Sequence, residues 1–312
     1  MKKRNLLLIL LTIMACFLIA CKKKTEEVKE DLITPAPTLT ATPTPTPELE
    51  NHDNEVKSKL TGLWIPKEYG DKRPYAIMLN NIQFASPQSG TSDASVLLEA
   101  TVEGGITRLM GIFEEQNLHE ERIGSIRSAR HYYVNFADAF DAIYLHFGET
   151  TYAKKRIKKL GINDLDGLTG IGDTVYYRDK SIKAPHNAFT SKDRILKGVE
   201  IKGYERNYKD GFKGNFQFFG EDSDLSGGKN AQKVTIPFSS YYSPYFIYDT
   251  KEKTYKRFQF NKEHTDYNTG KQLAFKNIII QFVKEWDIDK NDYQTMDIEN
   301  STGKGYYITN GK

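Results

Sequence analysis

Residues 125–148 read SIRSARHYYVNFADAFDAIYLHFG, and two different periods follow one another within them. Over 125–140 the side chains of Ile126, Ala129, Tyr133, Phe136 and Phe140 recur at three- and four-residue intervals, which predicts a helix with one buried stripe. Over 142–148 the chain is short, nearly continuous in apolar residues and rich in β-branched and aromatic types, which predicts a buried strand. A helix that hands over directly to a buried strand is the repeating unit of a sheet covered by helices.

The same alternation extends outward. Residues 75–82 and 107–114 predict two more strands, 152–160 a helix carrying Lys154, Lys155, Arg156, Lys158 and Lys159, and a further helix begins near Ser191. Asp164-Leu165-Asp166-Gly167 lacks the closing glutamate of a calcium loop and predicts a turn. Together these give an α/β or α+β N-terminal domain over 61–203. Gly, Asn, Asp and Ser then gather over 204–232, a crossing segment. Residues 234–238, 245–248, 255–260, 277–283 and 305–309 predict strands, so 233–312 is expected to be a smaller, mainly β C-terminal domain. Asn310-Gly311 is a dipeptide that turns one strand into the next, and a return strand is expected beyond Lys312.

Upstream of the folded region the chain carries an address. Lys2, Lys3 and Arg4 precede an apolar run that ends Leu18-Ile19-Ala20-Cys21. That run is shorter than the roughly 20 residues needed to span a bilayer, and it predicts a lipoprotein signal peptide over 1–20 with lipidation (palmitate) at Cys21. Cys16 and Cys21 are the two cysteines of the sequence, so the mature domain is expected to have no thiol nucleophile, disulfide or thiolate metal site. Residues 21–60, rich in Pro and Thr beyond a charged stretch, cannot bury a core and predict a disordered tether. The expected location is the extracytoplasmic face of the cell membrane, held by a lipid. Three of the 44 basic residues lie in the leader, which leaves 41 against 41 acids and excludes the domain-wide basic excess of a nucleic-acid binder.

Arg73-Pro74, Pro87-Gln88-Ser89-Gly90, Glu103-Gly104-Gly105-Ile106-Thr107-Arg108, Gly124-Ser125-Ile126-Arg127-Ser128-Ala129-Arg130, Arg178-Asp179 and Ala184-Pro185-His186-Asn187 follow one another in an order that resembles the YerB family of Gram-positive surface lipoproteins. The likeness covers most of residues 73–190 and continues into the β-rich half. It implies a domain of unknown function followed by a smaller C-terminal domain, and it brings no established reaction. One departure is visible: a glycine pair and serine usual in the family stand here as Gly148-Glu149-Thr150.

The residues that could carry chemistry are cationic. On a helix over 125–140, Arg127, Arg130 and His131 would share one face, and with Arg108 they could grip a phosphate or carboxylate. The other reading is a solvated face or ion pairing with Glu99, Glu103 or Asp179. His146 ends an apolar strand and His186 lies between Pro185 and Asn187; both, with Asn187, are candidate ligand contacts. No His-Glu-x-x-His run or other metal spacing is present, no cofactor is implied, and no complete catalytic motif appears. A binding or accessory module of the cell envelope is therefore expected, with a wall polymer or a wall-synthesis protein as partner. The alternative is an envelope hydrolase or transferase in which the arginines hold an anion and His146, His186 or Glu99 moves a proton.

Overall fold

Five strands form the central sheet: β1 (Tyr75–Leu79), β2 (Val96–Thr101), β3 (Thr107–Phe113), β4 (Ile143–His146) and β5 (Asp164–Asp166), in the order β2-β3-β1-β4-β5. β2, β3 and β1 are antiparallel neighbours, whereas β1, β4 and β5 run parallel. The computed structural model describes residues 51–290, 292–299 and 302–312. The expected signal peptide, Cys21 and the tether up to Glu50 lie outside the described residues.

All five side chains of β1 are fully buried, because the sheet is covered on both faces. Ala76 and Met78 point with Met110, Ile112 and Tyr144 towards α1 (His131–Ala139) and α2 (Thr151–Leu160). Tyr75, Ile77 and Leu79 point the other way with Leu109, Phe113 and Leu145, towards α3 (Gly172–Val175) and α4 (Lys192–Lys202). The α2 helix starts on Thr150, whose hydroxyl accepts from the Ala153 N–H at 3.1 Å, and stops on Gly161 at φ +66.

Three expectations change. The helix over 125–140 begins only at His131, and the residues before it form an extended strap across the carboxyl ends of β1 and β4. Strand ends and the loop after β4 supply the hydrogen bonds a helix would have made internally: Ile126 N–H donates to Ala188 (2.7 Å), Arg127 N–H to Met78 (3.0 Å) and Ala129 N–H to Gly148 (2.9 Å). The strap leaves Gly124 at φ +146, where a Cβ would sit 2.7 Å from the Phe189 ring. Arg127 and Arg130 therefore share no helical face with His131. Second, Asp164-Leu165-Asp166 is not a turn but strand β5, since Leu165 is fully buried and both carboxylates serve the neighbouring strand's end. Third, regular backbone begins before residue 61. Glu55–Lys57 pairs with Trp64–Pro66, the Ser58 hydroxyl accepts from the Leu60 and Thr61 N–H groups, and Leu60 is buried beneath the α1/α2 layer.

The C-terminal part is mainly β-sheet. Lys233–Thr235, Tyr245–Asp249 and Thr254–Gln259 form an antiparallel meander, joined by Lys262–Glu263 and Ala274–Phe275, and Asn277–Gln281 pairs with Gly305–Thr309. Thr254–Gln259 buries Tyr255, Arg257 and Gln259 on one face. Two of those three are polar, and they point into the junction with the N-terminal domain. Residues 51–312 form one compact unit.

Candidate functional site

The strap and the start of β3 bring three guanidinium groups to one end of the sheet. Arg108 donates from Nη1 to the Ser128 carbonyl at 2.6 Å, and Arg130 reaches the same oxygen at 3.5 Å while donating to Ala129 at 3.0 Å. Arg130 is also held by Glu103 through Nε–Oε1 (2.7 Å) and Nη2–Oε2 (2.6 Å). Glu103 lies in the turn that Gly104 and Gly105 make at positive φ, just before β3. Arg127 donates from Nη1 to Pro185 at 3.1 Å, and its buried Nε has no partner.

Charge at this end is not balanced. Among the described residues Arg130 has a carboxylate partner, and Arg108 and Arg127 have none. Arg108 is 6 % exposed. Burial first, then the like charges of Arg130 and Arg127, push its pKa down to about 9. Arg127 is lowered for the same two reasons, burial and Arg130. Burial alone would raise Glu103, but the hydrogen bonds and charge of Arg130 outweigh it and hold the carboxyl below its usual range. The fully buried Tyr144 hydroxyl has no partner, and it lies within electrostatic reach of Arg108 and Arg130. Two uncompensated cations with unused donors are what an anion would satisfy.

His186 stands beside this cluster. Its Nδ1 accepts from the Asn80 amide at 2.8 Å, so Nε2 carries the ring hydrogen, and burial followed by Arg127 and Lys183 lowers its pKa. His146 is placed differently. It is fully buried, with Nδ1 2.9 Å from Gly148 O in the loop that follows β4 and Nε2 3.2 Å from Asp164 Oδ2 in β5, so both ring nitrogens are engaged within the fold. Asn187 is likewise engaged, accepting from Arg178 at 2.8 Å and donating to the Asp179 carbonyl at 3.2 Å, and is not brought to the guanidiniums. Asp179 pairs with Arg122.

Glu99 points elsewhere, to a residue 158 positions away. Its Oε2 accepts from Arg257 Nη2 at 2.6 Å, and its Oε1 from Asn81 (2.8 Å), Thr107 (2.6 Å) and Tyr242 (2.9 Å). Arg257 donates further to His264 Nδ1 at 2.7 Å, and His264 Nε2–H to Gln88 Oε1 at 2.8 Å. Burial works against the Arg257 charge, but Glu99 and Tyr242 outweigh it and hold its pKa above the ordinary value. Burial and then Arg257 push His264 well below its own. Sequence reasoning found Glu99 and the block containing Gln88; Arg257 and His264 it missed, because nothing local marks them as partners of Glu99. The C-terminal part also reaches the cationic end, where Thr295 Oγ1 lies 2.7 Å from His131 Nε2 and the Tyr293 ring 6.0 Å from the Arg130 guanidinium. Among the described residues no group of His, Cys, Asp and Glu could hold a metal ion, and no helix is long and apolar enough to cross a membrane.

Comparison with known proteins places this geometry. Residues 60–205 match the family model "Protein of unknown function (DUF3048) N-terminal domain", and 234–312 match its C-terminal domain. The chain is 34% identical over 260 residues to a Bacillus subtilis (strain 168) protein described as "Putative lipoprotein YerB", covering 82% of this chain and 76% of that protein. The crystal structure of YerB protein from Bacillus subtilis matches with a TM-score of 0.72 and 32% identity, over 82% of this chain and 84% of that one.

Proposed function

On the premise that this chain belongs to the YerB family, whose two domains of unknown function it carries in order, we propose that it is a lipid-anchored module on the extracytoplasmic face of the membrane that binds an anionic cell-wall polymer through Arg108, Arg127 and Arg130. The observation that carries this reading is the pair of guanidiniums without carboxylates, Arg108 and Arg127, converging on one strap. The lipoprotein name of the relative supports the anchor, and Leu18-Ile19-Ala20-Cys21 supplies the position for it. A charge-assisted hydrogen bond contributes about 1.5–3 kcal/mol, so one guanidinium lost from a bound anion weakens it roughly tenfold or more.

The test is sedimentation of the soluble unit 51–312 with purified walls at several salt concentrations. Binding should fall with salt, disappear when the anionic polymers are stripped, and weaken about tenfold with Arg127→Met. Equal binding to stripped walls would sink the reading. The open Nε2–H of His186 beside Arg127 favours a second reading, a hydrolase or transferase. It requires turnover of wall fragments that is lost with His186→Gln.

A further inference from the structure

We infer that the anion is not a single small group but part of a linear phosphodiester or polyphosphate chain, which continues from the guanidiniums along the outer face of α2. This rests on the anion-site reading above. The α2 helix buries Ala153 and Ile157 and exposes Lys154, Lys155, Lys158 and Lys159, with no acidic residue along its length. At 100° per residue, 154 with 158 and 155 with 159 form two adjoining rows, each spanning about 6 Å of helix axis. Lys154 has Glu149 at 3.7 Å and Arg156 is paired with Glu299, whose charge also reaches Lys159; Lys155, Lys158 and Lys159 have no carboxylate within ion-pair distance among the described residues. The other long helices carry their own acids, Asp138 in α1 and Asp193 and Glu200 in α4, so the imbalance is local to α2.

Lysines on a solvated face would not by themselves imply a ligand. Their connection to the guanidiniums does. Glu149, one residue before the Thr150 cap, bridges to Ala129 of the strap, so α2 begins where the strap ends. Tyr293 joins the two, since its ring lies 6.0 Å from Tyr152 in the first turn of α2 and 6.0 Å from the Arg130 guanidinium. A lone anion would use Arg108 and Arg127 and leave the lysine rows idle. A chain with one charge per repeat engages both.

The experiment compares pyrophosphate with long-chain polyphosphate on the soluble unit 51–312 across salt concentrations, in the wild type, in Arg127→Met and in the surface triple variant Lys155→Ala/Lys158→Ala/Lys159→Ala. The expected result is that polyphosphate binds at least tenfold tighter and with a steeper salt dependence, by about 0.7 in log K per log salt for each added phosphate contact. The lysine variant should lose that excess and keep pyrophosphate binding, while Arg127→Met weakens both. If pyrophosphate binds but the two ligands show the same affinity and slope, or the lysine variant changes nothing, the chain inference fails and the anion site stands. If neither ligand binds, both fail. Polyphosphate binding that ignores Arg127→Met would put the ligand on α2 alone, and tighter binding to phosphatidylglycerol vesicles than to polyphosphate at equal phosphate would assign the face to a membrane surface; each overturns the inference.

Discussion

Arg257 and Arg108 are both buried guanidiniums at the same end of the sheet, and their surroundings are opposite. Arg257 meets Glu99, Tyr242, Gln259 and His264, and its charge is held. Arg108 bonds one carbonyl, and burial with the like charges of Arg130 and Arg127 opposes its charge more than Glu103 supports it. A buried charge that is paired serves the fold, whereas one left short of partners costs stability, and under the proposal above a bound anion completes it. The paired site joins the two parts of the molecule; the unpaired site faces the strap.

The largest effect that could break this comparison is on the paired side. Arg257→Ala leaves the largely covered Glu99 carboxylate without its charged partner and should cost about 3–5 kcal/mol in denaturant unfolding. A loss below about 1 kcal/mol, the scale of an exposed ion pair, would mean the junction is not held as described.

Acid should act on the same network. His264 is depressed below its ordinary value of 6.5, so below that pH the unfolded chain takes up a proton that the native state refuses. Stability is therefore full above pH 6.5 and falls as pH drops, by about 1.4 kcal/mol per pH unit for this one group. His131 and His186 are depressed in the same direction, so His264→Gln should reduce the slope by one proton rather than abolish it. Unfolding midpoints followed between neutral and mildly acid pH give that slope directly, and an identical slope in the variant would remove His264 from the account. Smallest of the three, Thr150→Ala removes the α2 cap and should cost about 1 kcal/mol in thermal or denaturant unfolding without touching the Arg257 network.

The central strands were legible because each is a short, mostly apolar run that the sheet buries on both faces: β1, β3 and β4 fall within the predicted spans. The strap was not. Ile126 and Ala129 have helical spacing, yet as an extended segment they enter opposite layers, Ile126 beside α3 and α4 and Ala129 beside α1 and α2. Strand β5 escaped notice because two of its three residues are aspartates, which make sense only once the end of β4 lies beside them. Arg108, Arg127 and Arg130 could be named from their sequence blocks, but Arg108 and Arg130 meet on the Ser128 carbonyl, which local periodicity aimed into a helix, and Arg127 is held by the distant Pro185 carbonyl. Glu99 and Arg257 are joined by tertiary structure alone.

The most direct measurement is Arg108→Met in the soluble unit, assayed for both unfolding and anion binding. Removing an uncompensated buried cation in favour of an apolar side chain of similar length should leave stability unchanged or raise it by about 1–4 kcal/mol, while pyrophosphate binding falls at least tenfold. Destabilisation on the scale of Arg257→Ala with anion binding intact would contradict the account, making Arg108 a structural charge like the other.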